Sequence, residues 1–254
     1  MDILNIIILS LIQGITEFLP ISSSSHLILI PMLTEYPDQG VMFDIALHTG
    51  SLLAVIIYYR RDIIKALKLS DHGNNLIKLL IIGSIPLPIA GLLIIDFVSY
   101  NLRAVEVIGL MTISFALLLL FADRKSEDNK VIAEISSIAI LTIGLFQTLA
   151  LVPGVSRSGI VITAALLLNY KRIDAIKIAF LLSIPAIFMA SVYNVFELTG
   201  SENIIIYKEH FIGMILSLLF SYITIHLFIA TINKISFTPY IIYRILLGTI
   251  LLVF

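Results

Sequence analysis

Apolar runs long enough to cross a lipid bilayer recur along the whole chain, and that recurrence excludes most folds built in water. A hydrocarbon core about 30 Å thick takes roughly 20 predominantly apolar residues as one helix. Six stretches meet that length: residues 41–59, 77–95, 105–122, 178–196, 211–232 and 237–254. Composition agrees. The chain is 59% hydrophobic and 13% charged, where a soluble domain has about 45–50% and about 25%. So few charges cannot cover a globular surface, and this composition excludes a soluble domain, a disordered chain and a nucleic-acid binder with a basic face; the net charge of -1 says nothing about partners. The absence of cysteine excludes disulfides and thiolate metal sites. The N-terminal segment has no basic region, and its apolar run soon meets Gln13 and Glu17, so it is not expected to be a cleaved signal. The class is an all-α polytopic membrane protein.

Two further apolar regions, residues 3–33 and 131–170, do not read as simple spans. Each is long enough for two short helices and is interrupted near its centre: Pro20-Ile21-Ser22-Ser23-Ser24-Ser25 in one, Pro153-Gly154-Val155-Ser156-Arg157-Ser158-Gly159 in the other. Non-helical backbone at membrane depth is tolerated only where protein buries it or it lines a wet cavity. Both regions are therefore expected to be re-entrant helix–loop–helix hairpins. The basic residues test this layout. Arg60, Arg61, Lys65, Lys68 and Lys78 surround one loop, Arg124, Lys125 and Lys130 another, Lys171, Arg172 and Lys177 a third, and Lys234 precedes the last span. These loops fall on one side, the cytoplasmic one, only if each hairpin leaves on the side it entered. Both termini then lie outside.

The expected architecture is six transmembrane helices plus two re-entrant hairpins, in one membrane domain of two inverted repeats. Residues 1–127 hold the first hairpin (1–40) and three spans. Residues 128–254 hold the second (131–170) and three more. A faint echo supports the repeat: Leu11-Ile12-Gln13 leads to Pro20 and serines, Leu145-Phe146-Gln147 to Pro153 and serines. Inverted repeats with broken helices place their site near the midplane.

Intramembrane charges are costly and mark function by default. Glu17 and His26 flank the first tip, and Arg157 lies in the second. Gln13 stands one helical turn before Glu17, on the same face. Asp44 and His48 repeat that spacing; they read equally as an interfacial pair or as part of the site. Arg244 and His226, in otherwise apolar spans, read as packing or snorkelling residues. At the second tip, Gly154 and Gly159 allow a tight turn and close ligand approach, and Pro153 ends the preceding helix. A helix starting near Ser158 points N–H groups and its positive dipole end at the loop. With Ser156, Ser158 and the permanently charged Arg157, this is a phosphate cradle. The first tip adds hydroxyls (Ser22 to Ser25), an imidazole and a carboxylate. Together they compose a site for phosphoryl transfer at membrane depth.

At these residues the chain resembles the undecaprenyl-pyrophosphate phosphatase family, also called bacitracin-resistance proteins. Gln13-Gly14-Ile15-Thr16-Glu17-Phe18-Leu19-Pro20 looks like the family's Glu/Gln-x-x-x-Glu motif, and Ser22-Ser23-Ser24-Ser25-His26 like its Ser-Ser-x-x-His element. Phe43-Asp44-Ile45-Ala46-Leu47-His48-Thr49-Gly50 is similar to its third block, and residues 153–159 match its Pro-Gly-x-Ser-Arg-Ser-Gly signature. The resemblance implies hydrolysis of undecaprenyl diphosphate to the monophosphate, which recycles the lipid carrier of peptidoglycan synthesis. It also implies a bacterial inner-membrane location, a site opening outward to the periplasmic side, divalent-cation (Mg²⁺ or Ca²⁺) stimulation and homodimers. Glu17, His26 and Arg157 match its essential positions, and Ser23 its candidate nucleophile. Ser22, Ser24, Gly154, Ser156, Ser158 and Gly159 are then expected to bind the substrate phosphates, with Gln13 and His48 in support. Gln13 stands where other members carry Glu, so a metal would rely on Glu17 and Asp44; magnesium needs only one or two carboxylates plus phosphate and water.

Two alternatives stay open at this point. Serine attack competes with direct attack by water. A secondary transporter or flippase for a lipid phosphate or another anion would share the repeats, broken helices and midplane site. A binding-only site, however, has no need of a serine beside acid/base groups.

Overall fold

A computed structural model describes residues 2–23, 25, 26, 39–68, 71–201 and 207–253, with side chains for all of these except 71–75 and 199–201. Among them there is no strand; a single bridge joins Lys130 and Tyr170. Helix α1 (Ile3–Thr16) starts at Asp2, whose carboxylate accepts from the Leu4 N–H at 2.7 Å. The next helices are α2 (Val41–Tyr58), α3 (Arg60–Leu67), α4 (Asp71–Ser84), α5 (Pro86–Asn101) and α6 (Val105–Lys125). Helices α7 (Ser137–Gln147) and α8 (Arg157–Leu167) flank the second tip, and α9 (Arg172–Ser201), α10 (Lys208–Ile235) and α11 (Thr238–Val253) follow.

Among the described residues, five segments are long and apolar enough to cross a membrane: Val41–Tyr58, Leu76–Asn101, Val105–Lys125, Arg172–Leu198 and Lys208–Ile235. Two spans differ from the sequence expectation. The span expected at 77–95 is split between α4 and α5, because Pro86 has no N–H to give the preceding turn. The span expected at 237–254 is the 16-residue α11, shorter than the other five. Leu92, Leu93 and Phe196 are each more than 70% exposed on these helices. Side chains of that kind in such number suit a lipid-facing surface.

Residues 131–170 form the expected helix–loop–helix. Its arms, α7 and α8, have 11 residues each, about 16 Å at 1.5 Å per residue and too short to cross a bilayer alone. Its two ends meet: the Lys130 N–H donates to Asn169 O, and the Lys171 N–H to Lys130 O, both at 2.9 Å. Of the first hairpin, α1 and the tip are described, whereas residues 27–38, and with them most of the second arm, lie outside the described residues.

Packing is paired between the two halves. Helix α2 packs on α9, and α6 on α11; α1 packs on α10 as α7 does on α4. Equivalent positions meet in the latter two contacts. Ser10 Oγ donates to Gly213 O at 3.3 Å, while Gly144 lies against Gly83 O. Gly109 and Gly248 face each other across α6 and α11: a Cβ on either would sit within 3.0 Å of the other's carbonyl. The core between the tips is aromatic. Phe18, fully buried beside Glu17, meets Phe180 edge to face at 5.1 Å, and Phe180 meets Phe228.

The basic loops lie together. Arg172 pairs with Asp123 at 2.7 Å and Lys177 with Asp62 at 2.8 Å, joining the start of α9 to α6 and α3. The far ends gather elsewhere, where Val41, Arg103 and Glu197 line one groove.

Candidate active site

Glu17 is the hub. It follows α1, where the chain turns into Pro20, and Phe18 anchors that turn in the core. Its carboxylate is buried and accepts from three side chains. Arg157 Nη2 donates to Oε1 at 2.7 Å; Ser23 Oγ and Gln13 Nε2 donate to Oε2 at 2.9 and 3.1 Å. The Gln13 contact is the i, i+4 pair expected from the spacing. His48 Nε2 stands 3.6 Å from Oε2, an ion pair only when the ring is protonated. Arg157 is held at its other end by Nη1 donating to Ala179 O at 3.0 Å, so its planar fork spans α9 and the first tip.

The two tips are built alike. Ser22 and Ser156, each nine residues beyond the buried Gln13 or Gln147, adopt left-handed backbone with φ of 72° and 69°. Such strain in a non-glycine residue persists only where surroundings enforce it. Ser23 and Arg157 come next and so occupy equivalent positions, both turned onto Glu17. Ser156 caps α8, its Oγ accepting from the Gly159 N–H at 3.2 Å. Ser158 Oγ donates to Leu19 O at 2.9 Å, so Ser156 is the donor in their mutual 3.3 Å contact. This bond ties the second tip to the first. Gly154 has φ of +93°, and a Cβ there would lie 2.5 Å from Ile108 O, so only glycine fits.

His26 is not turned onto Ser23. Its Nδ1 donates to Ser22 O at 2.7 Å, which leaves Nε2 to accept from the Tyr243 hydroxyl at 2.5 Å. The two rings stack with centroids 5.6 Å apart. His48 Nδ1 likewise donates to Asp44 O at 2.8 Å, which aims its other nitrogen at Glu17.

Glu17, Ser23, Arg157, Gln13 and His48 are thus brought together. Of the residues expected to bind phosphate, Ser22 is buried and accepts from Ser25 Oγ, while Ser156, Ser158 and Gly154 hold the tips in shape. Ser24 lies outside the described residues. The Asp44 carboxylate accepts from Gln39 at 2.9 Å. Among the described residues no three His, Asp or Glu side chains converge as a metal-ligand set. The donor set of Glu17 alone still fits a magnesium ion that arrives with a diphosphate and keeps its waters.

Two contributors escaped the sequence reading. Arg244 neither snorkels nor merely packs: it is wholly buried, and its Nη2 donates to Gly154 O and Val155 O at 3.0 and 2.9 Å. Tyr243, the residue before it, carries no motif at all. His226 is exposed and lies near Tyr58, as a bland residue would.

Comparison with known proteins finds relatives along nearly the whole chain. The sequence profile of the family described as bacitracin resistance protein BacA matches residues 6–250. The chain is 46% identical to the undecaprenyl-diphosphatase of Saccharophagus degradans, over 98% of this chain and 96% of that protein. It is 45% identical to that of Pelagibacter ubique, over 99% and 97% respectively. To that of Teredinibacter turnerae it is 43% identical, over 100% and 99%.

Proposed function

This chain belongs to the bacitracin resistance protein BacA family, and we propose on that footing that it is an undecaprenyl-diphosphatase, a multi-pass membrane hydrolase. It converts undecaprenyl diphosphate to undecaprenyl phosphate and inorganic phosphate, recycles the lipid carrier for cell-wall synthesis and confers bacitracin resistance. One observation carries the reading: a single buried carboxylate joins a serine of its own tip to an arginine of the other tip, which lies 140 residues beyond that carboxylate. A site that only bound an anion would need the arginine and not the serine. Purified protein in detergent should release phosphate from a C55 diphosphate; binding without release would favour a transporter.

Serine is a poor nucleophile without a base in reach, and Glu17 is that base by geometry. On substrate binding, Arg157 passes from Glu17 to the terminal phosphate. Ser23 Oγ then bonds to the terminal phosphorus as its proton moves to Glu17 Oε2. The bond from that phosphorus to the bridging oxygen breaks, and undecaprenyl phosphate leaves with the proton. Glu17 is then a base again for the water that hydrolyses the phosphoserine. His26, held by Ser22 O through Nδ1 and by the Tyr243 hydroxyl through Nε2, fixes the tip that presents Ser23. A divalent cation held by Glu17 and the phosphates would neutralise charge on the diphosphate.

The site lies at membrane depth within two inverted repeats, residues 1–127 and 128–254, each opened by a re-entrant hairpin. Support comes from the joined ends of the second hairpin, the paired packing of the halves and the gathered basic loops. The basic face is cytoplasmic, the membrane is the inner one, and the site opens to the periplasm. Because the chain has no cysteine, single introduced cysteines report sidedness cleanly. At Lys125 or Arg172 they should label only from the cytoplasm, and at Gly200 only from outside; outside labelling of Arg172 would contradict the layout.

The lipid tail enters between α5 and α9. A groove of about 640 Å³ lies there, mostly apolar, with Asp96, Arg103 and Glu197 along it. It reaches Leu151, at the foot of the second tip, and Val41, one turn from Asp44. Ala190→Trp should fill it and raise KM for the long-chain substrate several-fold, with little change for a short-chain diphosphate. Equal effects on both would place the tail elsewhere. The functional unit is a homodimer, for which the detergent-corrected mass of the purified protein is the test.

A further inference from the structure

We propose that Tyr243 and Arg244, neighbours on α11, act as one positioning pair that sets the register between the two tips. This rests on the diphosphatase reading. Among the described residues, the hydrogen bonds of Tyr243 and Arg244 go to other partners than Glu17, Ser23 or Arg157. Each instead holds one tip. The Tyr243 hydroxyl meets His26 Nε2, three residues beyond Ser23, and its ring stacks on the imidazole. Arg244 grips the carbonyls of Gly154 and Val155, immediately before Ser156 and Arg157. Consecutive residues on a helix diverge by about 100°, wide enough to reach two loops from one backbone.

The frame behind the pair is stiff. Helix α11 crosses α6 at the Gly109–Gly248 contact, one turn beyond Arg244. Helix α6 also holds the second tip, through Thr112 Oγ1 donating to Gly154 O at 3.4 Å. The arginine is itself an expensive choice. It is wholly buried, no ion pair among the described residues includes it, and its Nε and Nη1 find no partner. Packing alone would be served better by an apolar side chain. The gain is a guanidinium that holds two successive carbonyls of the strained tip. Ser23 and Arg157 must both reach Glu17, so a shift of one tip against the other separates nucleophile, base and phosphate clamp together.

The test is a double-mutant cycle on the purified full chain, reading kcat, KM and thermal midpoint with C55 diphosphate. Tyr243→Phe keeps the ring and loses the hydroxyl. Arg244→Lys keeps the charge and reaches one carbonyl. Each should lower kcat on the order of 10- to 100-fold, the scale for a small misplacement of reacting groups, with KM within twofold. Because both act on one coordinate, the double variant should lose little more than the worse single variant. If Arg244→Lys does not fold, Arg244→Gln completes the cycle. Effects that multiply, or that fall on KM alone, would overturn the pair, as would folded variants within twofold of wild type. Wild-type protein without phosphate release would instead overturn the diphosphatase reading, so the two failures are distinct.

Discussion

Glu17→Gln is expected to lower kcat by about 10³-fold, within the range for loss of a general base, while KM stays the same or falls. The carboxamide is nearly isosteric and can still accept from Arg157, but it cannot take the Ser23 proton. In the resting structure Arg157 is engaged by Glu17 at 2.7 Å, and substrate must compete for it. Neutralising residue 17 removes that competition, so binding should not suffer. Stability should suffer, because both partners are largely buried. Breaking such a pair costs about 3–5 kcal/mol when one charge is deleted outright, and the glutamine should recover part of that. Steady-state kinetics with a thermal melt check both statements. A variant that binds poorly but turns over normally would assign Glu17 to binding and contradict its place as base.

Arg157→Lys is expected to reduce turnover by about 100-fold or more, about 3 kcal/mol on the scale for one donor aimed at developing charge. Arg157 reaches Glu17 through Nη2 and Ala179 O through Nη1 at once. A lysine keeps the charge but has a single nitrogen and cannot hold both. The fork that would grip two phosphate oxygens is lost with it. A folded Arg157→Lys protein within a few-fold of wild type would remove the arginine from the chemistry.

The features legible in the sequence were those written in local patterns. Hydropathy located the apolar helices because each is a continuous apolar run; among the described residues five of the six expected spans are long enough to cross, and neither the shortness of α11 nor the break at Pro86 was legible. The Gln13–Glu17 contact was legible because four residues are one helical turn. The second hairpin was legible from proline, glycine and serine where apolar helix should continue. What stayed hidden depends on partners far away in the chain. His26 finds Tyr243 217 residues later, and Arg244 finds Val155 89 residues earlier; no period announces either. Asp44 and His48 looked equivalent, yet the backbone bond to Asp44 O aims His48 at Glu17 while the Asp44 carboxylate turns to Gln39. The serines differ in a way that no local pattern shows. Ser22, Ser156 and Ser158 bond within and between the strained tips, and of the described serines Ser23 alone is turned onto Glu17.

The central claim is that Ser23, activated by Glu17, takes the terminal phosphoryl group before water does. Stereochemistry at phosphorus tests it most directly. Hydrolysis in isotopically labelled water of a substrate with a chiral terminal thiophosphate should proceed with retention, since two in-line displacements at Ser23 cancel. Inversion would mark a single attack by water and leave Ser23 a binding residue.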